Sequence, residues 1–84
     1  MNDSQVLDRV RAIVATILTV PTETVTPESS PETVAEWTSL RHLVLALELE
    51  QEFDMSLSPD DMELLTSVGA IVGLLEDRQR VSAT

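Results

Sequence analysis

The chain has no cysteine, no tyrosine and no lysine. Without cysteine, neither a disulfide framework nor a thiolate metal site can hold the fold together. Without lysine, its five cationic side chains are all arginine, set against fifteen acids for a formal net charge of −10. Nucleic acid and anionic membranes both need cations at their phosphates, so this balance excludes each as a natural partner. It favours proteins with basic patches, found through electrostatic steering; a plain gain in solubility fits the same numbers. Aromatic residues are limited to Trp37 and Phe53, too few for typical sandwich strands, whereas aliphatic residues are plentiful enough for packed helices. The single His42 cannot form a histidine metal pair, and no glycine-rich loop is present to cradle phosphate. No nucleophile–base constellation suggests an enzyme. No signal region opens the chain, and no apolar run approaches the ~20 residues of a membrane span, which predicts a cytoplasmic protein. Self-repulsion at this charge predicts a monomer.

Helical periodicity is what the sequence does contain. Its 84 residues predict a single domain, 1–84, with a thin core. Asp3 or Ser4 can cap a first helix over about 3–19, in which Val6, Val10, Ile13, Val14, Ile17 and Leu18 share one face. Pro21 helps to stop it. Residues 21–36 read as a long loop with three prolines, tied to the core by Val25 and Val34, and with a short turn at Pro27–Ser29. Connections longer than about 12–15 residues are usually functional or disordered. A second helix, about 38–53, has more apolar residues than one stripe requires. Leu43, Ala46, Leu49 and Phe53 form a plausible inward set, with Arg41, Glu48 and Glu52 opposite. Leu40, Val44 and Leu47 share a flank that suits either a docking surface or additional core. Ser58, Pro59, Asp60 and Asp61 are a helix-start signal for a short third helix over about 59–65. A fourth, about 67–78, places Arg78 and Arg80 near its negative end, followed by a frayed tail over 79–84. Gly69 and Gly73, four residues apart in it, suit close helix packing. The expected fold is all-α: a four-helix bundle with a short third helix and a long loop between the first two.

Ser39 is the residue with potential chemistry. It lies at the mouth of the second helix, where a phosphate on its hydroxyl would meet open backbone N–H groups and a positive helix end. Position alone favours an ordinary capping serine, or a capping pair with Thr38, the commonest role for such residues. Trp37 can staple the loop to the helix or line the path of a group on Ser39. His42, without a partner base, reads as a packing residue. Met55, Met62 and Leu47 suit core filling or soft contacts to a ligand or partner.

The stretch Trp37-Thr38-Ser39-Leu40, then His42-Leu43 and Ala46-Leu47-Glu48-Leu49-Glu50-Gln51-Glu52-Phe53-Asp54, resembles the second-helix region of the phosphopantetheine-binding acyl carrier proteins. The resemblance continues through Ser58-Pro59-Asp60-Asp61 and Leu65-Thr66-Ser67-Val68-Gly69-Ala70-Ile71-Val72, covering about residues 34–76. It is strongest to discrete carriers of bacterial specialised metabolism. It implies that Ser39 receives 4′-phosphopantetheine from coenzyme A through a separate transferase, with Trp37, Thr38 and Leu40 beside the attachment point. The arm's thiol would carry an acyl or aminoacyl thioester to loading, synthase or tailoring enzymes, as in polyketide biosynthesis. Leu40, Val44, Leu47, Glu48, Glu50 and Glu52 would form the partner-binding surface, their acids meeting basic patches on those enzymes. Thr38 departs from the aspartate that usually precedes the serine, so it offers no carboxylate to the transferase's metal-bearing site. Arg41 and Val44 depart from acids common in fatty-acid carriers, which favours a dedicated pathway. An unmodified helical adaptor that only binds partners is the alternative.

Overall fold

Along α1 (Asp3–Leu18), Val6, Val10, Val14 and Leu18 recur at every fourth position and are fully buried. A computed structural model describes the backbone of residues 3–82 and the side chains of residues 5–78. After α1 come a 3₁₀ turn (Thr22–Thr24), α2 (Ser39–Glu52), α3 (Pro59–Glu63) and α4 (Val68–Ser82). The described residues include no strand, and the architecture is the expected all-α bundle. Both α2 and α4 pack against α1. Its valine stripe meets Leu45 and Leu49 from α2, Val68, Ile71 and Leu75 from α4, and Val25 and Trp37 from the long loop. Burying each such aliphatic side chain contributes about 1.5–3 kcal/mol, the main drive for assembly. Ile13 and Ile17 lie half-buried at the edge of the stripe.

The phase of α2 differs from the expected one. Leu45 is fully buried while Leu43 is 50% exposed, although Ala46 and Leu49 do point inward and Phe53 is half-buried. The interior line therefore runs through Leu45, Ala46 and Leu49. Arg41, Glu48 and Glu52 are not opposite it but along the flank that faces α1: Arg9 of α1 pairs with Glu52, and Arg41 bonds the end of α1.

The helix ends follow local chemistry. At the close of α1, Val20 N–H donates to the Ala15 carbonyl (3.0 Å) and Thr19 N–H to that of Thr16 (3.3 Å), a Schellman cap. It puts the β-branched Thr19 at φ 60°, a left-handed conformation that disfavours such side chains. Asp54 closes α2 in the same way at φ 50°, with Met55 N–H donating to the Glu50 carbonyl (3.0 Å). The start of α3 is a capping box: Ser58 Oγ accepts from Asp61 N–H (3.1 Å), and Asp61 Oδ2 accepts from Ser58 N–H (3.0 Å). The helix stops at Glu63, short of the expected 65, and Leu65 turns into the core. Ser67 caps α4, accepting from Ala70 N–H (3.1 Å).

Expected to end near 78, α4 continues to Ser82. Arg78 is therefore not in its last turn; it donates to the Asp61 carboxylate and, at 3.2 Å, to the Ser56 carbonyl. The Arg80 side chain, the capping atoms of Asp3 and Ser4, and residues 83–84 of the expected tail lie outside the described residues. The two glycines of α4 serve different ends. A Cβ on Gly69 would meet the Pro27 carbonyl oxygen at 3.1 Å, so the close approach there is to the loop and not, as expected, to another helix. Gly73 is exposed, with nothing within 4 Å of such a Cβ, so it permits no packing.

Gly73→Ala should accordingly stabilise the protein by about 0.8–1 kcal/mol, the helix-propensity difference between the two residues. A urea midpoint that did not rise would show that something unseen needs the glycine. The Ser58 N–H, followed by Arg78, holds the Asp61 carboxyl below its ordinary value of 3.8. Because folding lowers this pKa, the associated stability is present above the ordinary value and is lost as pH falls through the lowered one. Asp61→Asn should flatten the acid limb of stability against pH in that window. An unchanged limb in urea unfolding would mean that folding leaves the Asp61 pKa where it was.

Candidate functional site

The loop between α1 and α2 has few apolar side chains, so backbone bonds and polar side chains fix it. Arg11 of α1 donates through Nε to the Val25 carbonyl (2.8 Å) and through Nη2 to that of Thr22 (3.0 Å). The first N–H groups of α4 hold the next part: Val68 N–H donates to the Ser29 carbonyl (2.9 Å) and Gly69 N–H to that of Pro27 (2.8 Å). Ser29 and Ser30 are buried and build tight turns, Ser29 Oγ accepting from Thr26 N–H (2.9 Å) and Thr33 Oγ1 from Ser30 N–H (3.0 Å). Val25 is buried and Val34 half-buried, as the sequence suggests.

This scaffold delivers Trp37, which is only 3% exposed. Its indole N–H donates to His42 Nδ1 (3.0 Å) one turn into α2. A buried indole needs such a partner, so His42 packs and accepts rather than relaying protons. Thr38 is the N-cap of α2: it is extended at φ −82°, ψ 168°, and its Oγ1 accepts from Arg41 N–H (3.3 Å). Ser39 is thus the first helical residue, not the cap, and its exposed hydroxyl is left for other chemistry. The N–H groups of Ser39 and Leu40, which a helix leaves without internal acceptors, lie beside that hydroxyl.

A groove of about 330 Å³ opens next to Ser39. Its walls combine the loop (Pro31, Glu32, Trp37, Thr38), the start of α2 (Ser39, His42), and α3 with the residues after it (Met62, Glu63, Leu65, Thr66). A second groove of about 460 Å³ lies between α1 and α2, bordered by Arg9, Ile13, Ile17, Glu48 and Glu52, and shares no residue with the first. No group of three or more potential metal ligands occurs among the described residues. None of the described helices is long and apolar enough to cross a membrane.

The expected partner surface divides. Leu40, Val44 and Leu47 are 72%, 41% and 53% exposed, and Leu43 joins them on the outer face of α2. The three acids lie off that face. Glu50 accepts from Leu57 N–H (2.7 Å), Glu52 pairs with Arg9, and Glu48 borders the groove against α1. Periodicity alone places Leu43 inside, so its exposure is not legible in the sequence. Glu32, Glu63 and Thr66 had no local signal, since only the fold brings them beside Ser39.

Residues 8–75 match the family described as "Phosphopantetheine attachment site". The chain is also 33% identical over 78 residues to an acyl carrier protein of Thermosynechococcus vestitus, across 93% of this chain and 96% of the relative. An acyl carrier protein of Picosynechococcus sp. is 28% identical over 76 residues, across 90% and 94%. The chain belongs to the phosphopantetheine-attachment-site family, that of the acyl carrier proteins. It is a carrier rather than a catalyst, and its cofactor is a covalently attached 4′-phosphopantetheine. Carriers of this family work with a phosphopantetheinyl transferase and with acyl-handling enzymes. The residues at the head of α2 fit the cofactor's phosphate: an exposed hydroxyl to esterify, open N–H groups beside it, and the positive end of a 14-residue helix.

Proposed function

We propose that Ser39 is the attachment residue and that the chain presents a thioester-bound acyl or aminoacyl intermediate to the enzymes of one dedicated pathway. The exposed hydroxyl of Ser39, at the first position of a helix capped independently by Thr38, carries this reading. In the loading step Ser39 Oγ bonds to the phosphorus of the phosphopantetheinyl group, the bond to the adenosine bisphosphate of coenzyme A breaks, and the hydroxyl proton passes to the transferase. General-base activation is therefore assigned to the transferase. The bound arm supplies the thiol that this cysteine-free chain lacks. Trp37, Thr38 and Leu40 surround its root. A pathway of specialised metabolism, such as polyketide assembly in the cytoplasm, agrees with Arg41 and Val44 standing where fatty-acid carriers favour acids.

Docking to the transferase, the loading enzyme and downstream enzymes is assigned to the apolar face of Leu40, Leu43, Val44 and Leu47, which begins at Ser39 and runs along α2. Exposed apolar residues grouped this way mark interaction surfaces. The negative charge around them adds steering toward basic partners.

Incubated with coenzyme A and a broad-specificity transferase, the protein should gain the mass of one phosphopantetheine, and Ser39→Ala should gain none. Wild-type protein left unmodified by several transferases would overturn this reading in favour of the unmodified adaptor. With modification established, Leu43→Asp or Leu47→Asp should lower the transferase's kcat/KM by roughly tenfold, as for residues central to an interface. Glu50→Gln and Glu52→Gln should change it little. The reverse ranking would move docking to the acids.

A further inference from the structure

Two aromatic side chains brace the head of α2. The Trp37 indole N–H donates to His42 Nδ1 (3.0 Å), and the ring centroids stand 6.1 Å apart at a 32° tilt, so the hydrogen bond rather than stacking joins them. The brace runs from the residue before the cap into the first turn, enclosing Thr38, Ser39, Leu40 and Arg41. Within that span the backbone is held by His42 N–H on the Thr38 carbonyl (2.8 Å) and by the longer cap bond from Arg41 N–H to Thr38 Oγ1 (3.3 Å).

An indole N–H only donates, so His42 Nδ1 must be free of a proton and the neutral ring carries its proton on Nε2. Imidazolium donates from both nitrogens and accepts at neither. A proton on His42 therefore breaks the brace. It leaves the indole N–H of a side chain only 3% exposed facing a second donor. His42 itself is half-buried and lines the groove beside Ser39, so solvent protons reach it. Glu32 of the loop and Glu63 of α3 share that groove, while Arg41, next to His42 on α2, is bound to the Leu18 and Glu36 carbonyls. The indole thus selects the neutral ring, and the carboxylates attract the charged one.

We propose that His42 positions Ser39 under the control of a proton: neutral, it holds Trp37 and the cap of α2 in place, and protonated it releases them. The consequence for loading rests on Ser39 being the attachment point.

The test follows the unmodified full chain from about pH 8 to about pH 5, the range in which imidazole changes charge. One tryptophan and one histidine make the side-chain ¹⁵N–¹H signals unambiguous. As the His42 ring takes up its proton, protection of the indole N–H against exchange, corrected for the intrinsic rate at each pH, should fall roughly tenfold. The Thr38 and Ser39 amides should shift in step. In His42→Asn, whose amide oxygen can stand in for Nδ1 without titrating, indole and amides should stay constant. Trp37→Phe keeps a buried ring without the donor, so its Thr38 and Ser39 amides should lose most of the response. The second readout is the transferase's kcat/KM for wild type divided by that for His42→Asn at each pH, which cancels the transferase's own titration. This ratio should fall roughly tenfold across the range. An indole that stays protected on a protonated ring, an equal response in either variant, or a ratio that does not move would overturn the proposal. Loading of neither protein at any pH would count against Ser39 as the attachment point, with the spectra still deciding whether His42 releases Trp37.

Discussion

The arrangement of this molecule depends on how a polar loop is held against a small bundle. Residues 19–38 connect α1 to α2 with little apolar surface of their own, so hydrophobic burial alone cannot fix their path. Two charge- and dipole-based contacts do. The Arg11 guanidinium collects the Thr22 and Val25 carbonyls, and the open N–H groups of α4 collect those of Pro27 and Ser29. The second contact satisfies helix-start donors that would otherwise need water, and a Cβ at Gly69 would crowd it, standing 3.1 Å from the Pro27 carbonyl oxygen. With the loop pinned, Trp37 can be buried, its indole bonded to His42, and the next two residues become the cap and first turn of α2. The orientation of Ser39 follows from that sequence of constraints.

The same economy governs charge. Each described arginine links two parts of the structure, so the positive charge of the chain lies largely within its framework. Arg41 illustrates this. Its guanidinium bonds the Leu18 carbonyl at the end of α1 (3.1 Å) and the Glu36 carbonyl (3.3 Å). It thereby ties the last turn of one helix to the first turn of the next, and the cation is unavailable for recognition. What α2 offers outward is then apolar along its middle, the face to which docking is assigned above.

Sequence showed most where physics is local. The capping box at Ser58 and Asp61, the proline at the first position of α3 and the stripe of α1 each depend on neighbours a few residues away. It showed less where one pattern allowed several solutions. Residues 40–53 contain so many apolar side chains that period 3.6 leaves the phase open, and the choice between Leu43 and Leu45 is made by α1 packing on one side only. The buried Ser29 and Ser30 have no apolar signature, because their burial is matched by turn hydrogen bonds. Ser39 was legible as a motif, but its groove was not, since Glu32 and Glu63 come from segments that only the tertiary fold joins.

Thr38 acquires a physical meaning from this geometry. An N-cap must offer an oxygen to the first-turn N–H groups, and aspartate does this somewhat better than threonine. A carboxylate at position 38, however, would stand next to a phosphodiester on Ser39, and two like charges about 6 Å apart repel by roughly 0.7 kcal/mol even at the dielectric of water. Threonine caps without that charge: its Oγ1 accepts from Arg41 N–H while its carbonyl accepts from His42 N–H (2.8 Å). The N–H groups of Ser39 and Leu40 then stay open to an anion that meets no carboxylate at the capping position. Under the proposed attachment, the substitution shifts the balance toward the loaded state of the helix end, and it leaves any metal at the transferase to be held by groups other than residue 38.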